Sequence, residues 1–173
     1  CVDALYQLQV LAGDWRVYTP GPGDDRTYLH DRDRPAEIER LSREAAQDGW
    51  PGLMVGDISQ PRGGPMLSGH ASHQIGLDAD IWFRMADRPI SQWEQDAPKE
   101  WALIDEPSYR VLPGRFGPEQ LNLLRLAASK PEVARIFVNP VIKAEVCKQA
   151  PGEAWVGKLR PWVGHFSHFH VRL

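Results

Sequence analysis

Leu77-Asp-Ala-Asp-Ile-Trp-Phe83 alternates over its whole length. Successive side chains of a strand point to opposite faces, so Leu77, Ala79, Ile81 and Phe83 share one face and Asp78, Asp80 and Trp82 the other. The first face packs into a core; the second, turned away from it, carries two carboxylates. The last stretch of the chain, Phe166 to Leu173, repeats the pattern, with His168, His170 and Arg172 on one face and Phe169, Val171 and Leu173 on the other. Strands with one apolar and one polar face favour an antiparallel sheet over a doubly wound parallel one. With helices interspersed, the expectation is an α+β fold: a mainly antiparallel central sheet flanked by helices, with long surface loops and a metal cleft on one sheet face.

Three helices follow from periodicity. The first runs from about Pro35 to Gln47, with Ile38, Leu41 and Ala45 as its apolar stripe, Glu39 and Arg43 paired outside, and Gly49 ending it. The second spans about Pro118 to Ser129; Asn122, Arg125 and Ser129 form its polar stripe, and Leu121, Leu123, Leu124 and Leu126 make it mostly buried. Asn139 caps a third that Pro140 opens and Pro151-Gly152 closes, with Ile142 and Val146 one turn apart. Leu53–Ile58 and Ile136–Val138 read as strands, and Leu5–Val10 and Trp15–Tyr18 as shorter ones. Pro20–Asp25 and the glycine-rich Pro61–Gly69 are loops. Residues 84–113, rich in Pro, Trp and charge, read as a long surface excursion in which Trp93 and Trp101 flank a cleft or, the preferred reading, cover a core edge.

At 173 residues, 42% hydrophobic and 25% charged, the chain suits a single domain over 1–173 with its own core. A net charge of -3 gives no footprint for nucleic acid, and no apolar run is long enough for a membrane span. Cys1 and Cys147 lie in no Cys-x-x-Cys pair, which argues against thiolate zinc. Cys147 reads as a buried thiol, with a disulfide as the alternative. The chain opens on Cys1 without an initiator Met or a signal-peptide pattern and reads as a processed or trimmed product.

The sequence contains six histidines, and five fall in two windows: Ser68-Gly-His70-Ala-Ser-His73 and Gly164-His165-Phe-Ser-His168-Phe-His170. His30, alone, reads as a surface or helix-approach residue. Imidazole is the commonest protein ligand for zinc and the commonest general acid or base. A catalytic zinc takes three protein ligands and leaves a fourth position for water. Asp80 and His170 project from the polar faces of their strands. His73 precedes Asp80 by seven residues, and Gly76 can bend the chain between them. One zinc ion held by His73, Asp80 and His170 keeps a net positive charge and can acidify water to a pKa of about 7. His168 and His170 share a face, so both could be ligands; the preferred division gives ligation to His170 and proton transfer to His168. His165 and His70 line the site, where either could donate a hydrogen bond to an oxyanion. Asp78 is an exposed structural residue or stands behind the ligands. There is no His-Glu-x-x-His, no Gly-x-Ser-x-Gly and no P-loop.

Gly69-His-Ala-Ser-His-Gln-Ile-Gly-Leu-Asp-Ala-Asp80, Arg135-Ile-Phe-Val-Asn-Pro-Val-Ile-Lys143 and Arg160-Pro-Trp-Val-Gly-His-Phe-Ser-His-Phe-His-Val-Arg-Leu173 closely resemble the penicillin-insensitive murein endopeptidases. That family belongs to a wider group with lysostaphin-type peptidases, D-Ala-D-Ala metallopeptidases and the hedgehog signalling domain. The resemblance covers the chain from about Tyr28 onward. It implies zinc on His73, Asp80 and His170, catalysis by His168, and His165 and His70 lining the site. It further implies hydrolysis of the D-alanyl to meso-diaminopimelyl cross-link of peptidoglycan, in the periplasm. Family members usually continue into a cysteine-containing tail, whereas this chain stops at Leu173. The dipeptidase branch carries a glutamate base three residues before its last histidine ligand; Ser167 stands there, which favours a histidine base. The rival readings are a D,D- or L,D-carboxypeptidase of stem peptides, a non-catalytic zinc-stabilised binding domain, and a metal-free peptidoglycan-binding module.

Overall fold

The structure is a computed structural model that describes residues 37–56, 58, 64, 72–85 and 101–173, with the backbone of 8–11, 14–15 and 34–36. Cys1, His30, His70, Trp93, the Pro20–Asp25 loop and most of the Pro61–Gly69 loop lie outside these residues. The chain divides into two compact units, Cys1–Asp80 with Met85–Pro98, and Ile81–Arg84 with Lys99–Leu173. The boundary falls inside a single strand, between Asp80 and Ile81.

In the first unit, helix α1 (Arg34–Gln47) packs on strand β3 (Gly52–Val55). Ile38, Leu41, Ser42 and Ala45 form its buried stripe at helical spacing. Its end is a Schellman turn: Gly49 adopts φ 89°, the Trp50 amide donates to the Ala45 carbonyl at 3.1 Å, and the Gly49 amide donates to Ala46 at 3.2 Å. Trp50 then drops into the core. The Arg43–Glu39 pair, 3.9 Å apart on the outer face, contributes a few tenths of a kcal/mol at most. β1 (Leu8–Leu11) pairs antiparallel with both β2 (Asp14–Trp15) and β3.

In the second unit, α2 (Pro118–Ala128) stops with Ser129 as its C-cap. Its buried face is Gln120, Leu123, Leu124, Ala127 and Ala128; Leu121 and Leu126, expected inside, are half-exposed. Gln120 takes the inner place because both ends of its amide are used. Its Oε1 accepts from the Gly117 amide at 2.9 Å, and its Nε2 donates to the Phe83 carbonyl at 3.3 Å. Phe83 and Phe169 are wholly buried, with ring centroids 5.1 Å apart, and Phe116 meets Phe83 edge-on.

β7 (Arg135–Val138) leads through Asn139 into α3 (Pro140–Gln149), then a short 3-10 helix (Ala154–Lys158) and β8 (Leu159–Pro161). Asn139 caps α3 as expected, its Oδ1 accepting from the Val141 amide at 2.9 Å. Ile142 and Val146 face inward. Cys147, one position beyond Val146 and so about 100° round the helix, is exposed and free, which corrects the expectation of a buried thiol. On the same helix, hydrogen bonds from Gln149 and then Lys148 hold the Glu145 carboxyl below the usual range.

The strands form a seven-stranded sheet in the order β2-β1-β3-β4-β9-β7-β8, where β4 is Asp78–Trp82 and β9 is His168–Arg172. β9 runs antiparallel to β7, but β8 runs parallel to it. The fold is therefore α+β with a mixed sheet. The crossover through α3 and the 3-10 helix is what makes a parallel neighbour reachable.

Two further expectations change. Asp78 and Asp80, expected on a face turned away from the core, are 1% and 4% exposed. β4 lies inside the sheet order and has both faces covered, so alternation there separates two buried faces rather than core from water. Within the supposed surface excursion, β5 (Ile104–Asp105) and β6 (Arg110–Val111) form a two-stranded antiparallel ribbon, and Leu103 and Ile104 are buried. Trp101 is half-buried under the Arg115 guanidinium. Among the described residues no helix is long and apolar enough to cross a membrane.

Candidate metal centre

His73 is presented by a turn (72–74) rather than by a strand, and Gly76, at φ 69°, redirects the chain into β4. The ring is 2% exposed. Its Nδ1 lies 3.1 Å from the Ile58 carbonyl, which can only accept, so Nδ1 carries the proton. Nε2, the other ring nitrogen, lies 3.4 Å from Oδ1 of Asp80. A carboxylate oxygen and an imidazole nitrogen this close in a dry interior are held together by a positive charge between them, either a proton on the ring or a shared metal ion. The separation matches a metal: two ligands on a tetrahedral ion with bonds of about 2.05 Å stand roughly 3.4 Å apart. A ligating imidazole backed by a backbone carbonyl is also the usual way of fixing its tautomer.

His170 occupies the middle of β9 opposite Phe137 in the β7 register, and it is 3% exposed. The Phe137 ring lies 5.4 Å from the imidazole and fixes its orientation by packing. One ligand atom each from His73, Asp80 and His170 lies within 4.8 Å of the other two. These donors fit a divalent borderline-soft ion such as zinc: two neutral nitrogens and one carboxylate oxygen, all buried.

The remaining histidines sit differently. His168, half-buried on β9, has its Nδ1 3.5 Å from the Ser167 hydroxyl. His165 is half-buried as well, and its ring centroid lies 5.1 Å from that of His168 and 5.9 Å from that of His170. It adopts φ 52°, directly after Gly164 at φ 80°. A left-handed residue with a Cβ costs about 1–2 kcal/mol, and such strain gathers at functional sites. His165 Nδ1 lies 3.3 Å from the Val163 carbonyl and so donates there; Nε2 of the neutral ring is an acceptor. Asp78, two residues before Asp80 on the same strand face, is buried rather than solvated.

Sequence reasoning misses Phe137 and half of what Asn139 does, and both shape this region. A strand residue facing a histidine cannot be paired with it before the register is known. The sequence around Asn139 signals a helix cap and nothing more.

The geometry defines a class, a candidate metal centre built from two histidines and one aspartate. The model of one family, penicillin-insensitive murein endopeptidase, matches residues 1–173. A relative of that name from Yersinia enterocolitica is 40% identical over 174 residues, covering all of this chain and 62% of the relative. One from Haemophilus influenzae is 46% identical over 137 residues, covering 79% of this chain and 48% of the relative. One from Salmonella heidelberg is 40% identical and covers 62% of its own length. The chain therefore belongs to the penicillin-insensitive murein endopeptidase family, peptidase family M74. It spans less than two thirds of the length of these curated relatives.

Proposed function

We propose that this chain is a zinc-dependent peptidoglycan hydrolase of the periplasm, cutting the D-alanyl to meso-diaminopimelyl cross-link. The observation that carries the reading is the buried trio His73, Asp80 and His170, each offering one ligand atom within 4.8 Å of the other two. The names of the relatives support the substrate class. His73, Asp80 and His170 would hold the ion. Zinc bound there would polarise a peptide carbonyl and make water a nucleophile near neutral pH.

The chain's own groups do the rest. His168 is the only histidine of β9 left partly open, beside a hydroxyl that can orient it. It takes the proton of the attacking water and passes it to the departing amine. His165 donates to the developing oxyanion from Nε2 only when its ring is protonated, because Nδ1 already serves Val163. Cleavage by water leaves no serine acyl-enzyme for a β-lactam to trap, and insensitivity to penicillin follows.

The test is mass spectrometry of murein sacculi digested with this chain, with and without a chelator. Cross-linked dimers should convert to monomers, and the chelator should stop the conversion. Trimming of monomeric stem peptides with dimers left intact would reassign the chain as a carboxypeptidase. Intact sacculi from a zinc-loaded protein would end the hydrolase reading.

A further inference from the structure

The segment that carries His165 is tied at two points, to the end of β7 and to the residue that follows it. The Trp162 amide donates to the Val138 carbonyl at 2.8 Å. Two residues further along, the Gly164 carbonyl accepts from Asn139 Nδ2 at 2.7 Å. The amide orientation of Asn139 is unambiguous: the Val141 N–H needs an acceptor and the Gly164 carbonyl needs a donor, so each end has one assignment. Asn139 is 5% exposed, so both bonds are shielded from water.

The second bond grips the chain where it is least stable by itself. Gly164 and His165 are consecutive left-handed residues. A Cβ at Gly164 would meet nothing within 4 Å, so the glycine serves the backbone angle and not a close contact. A helix cap alone would use only the oxygen of Asn139. The nitrogen is the surplus, and it goes to the peptide that sets the direction of the His165 ring.

We propose that Asn139 is a positioning residue for His165: its amide holds Gly164-His165 in the left-handed conformation that points the imidazole at His168 and His170. The inference rests on the reading of His165 given above. Asn139→Asp and Asn139→Ser both keep an oxygen for the Val141 amide and both lose the donor to Gly164. In the full chain, each should retain helix content, zinc content and a melting transition near that of the parent. The His165 imidazole resonances in ¹H–¹⁵N spectra should move or broaden, with those of His73 in place. With sacculi as substrate, kcat should fall roughly 10- to 100-fold with KM little changed. In a His165→Ala background the same substitutions should cost nothing further.

Unmoved His165 resonances in both variants overturn the proposal. So does an unchanged kcat, or a kcat loss in the His165→Ala background as large as in the parent. Should the parent chain not digest sacculi, the hydrolase reading falls, and the resonances still decide this one.

Discussion

The two histidine windows solve one problem, the fixing of an imidazole, by different means. In residues 72–80 the ring of His73 is held by a hydrogen bond, Nδ1 to a backbone carbonyl, and faces a carboxylate. In residues 164–170 His170 is held by an aromatic face, while His165 is held by a strained backbone. The rings also differ in exposure. His73 and His170 are sealed from solvent, whereas His165 and His168 are half-open. Burial thus sorts these four histidines in the way the proposed roles require. Those suited to hold an ion are shut in, and those suited to trade protons stay within reach of a substrate.

The largest effect should come from breaking the first window. Asp80→Ala removes the carboxylate that faces His73 Nε2 and, on the proposed reading, one ligand of the ion. Metal affinity should drop by more than the roughly 100-fold typical of losing a partner behind a ligand. Activity should fall to background, as read by metal analysis and sacculus digestion together. Retained zinc with lost activity would move Asp80 out of the ligand set.

Next in size is His168→Ala. The division by burial predicts that zinc content is kept while kcat falls about 10²- to 10⁴-fold, the usual worth of general acid–base catalysis. Equal loss of zinc would instead make His168 a ligand and erase the distinction between closed and open rings. Smaller again is Phe137→Leu, which keeps the strand apolar but removes the flat face behind His170. Zinc affinity should weaken about tenfold, at the low end for a group that orients a ligand. No change would mean that the β7–β9 register alone orients His170.

Much of this is legible in the sequence. The stripes of α1 and the cap of α3 follow from spacing and from the chemistry of Asn139-Pro140. The trio His73, Asp80 and His170 is legible from the clustering of histidines and the faces of β4 and β9, and the structure brings their ligand atoms together, although His73 stands on a turn that alternation does not describe. What escapes does so for physical reasons. β8 has three residues ending in proline on a sheet edge, too few for periodicity, and its parallel pairing depends on a crossover that local pattern cannot see. Asp78 reads as solvated because alternation reports polarity and not what covers a face. The left-handed His165 gives no signal either, since nothing about following a glycine marks a residue for positive φ.

That backbone offers the smallest effect and the sharpest sign. At an ordinary extended or helical position, Ala is more stable than Gly by about 0.5–1 kcal/mol, because glycine has more freedom to lose. At position 165 the order should invert. Both His165→Ala and His165→Gly remove the ring and its contacts with Phe137, His168 and His170. Only the glycine variant also removes the cost of a Cβ at φ 52°. Chemical denaturation should therefore find His165→Gly more stable than His165→Ala by about 1 kcal/mol, with both less active than the parent. If alanine is the more stable of the two, the segment relaxes without its ring. His165 would then be held from the side chain, as His73 is, and the contrast between the windows would shrink to their partners alone.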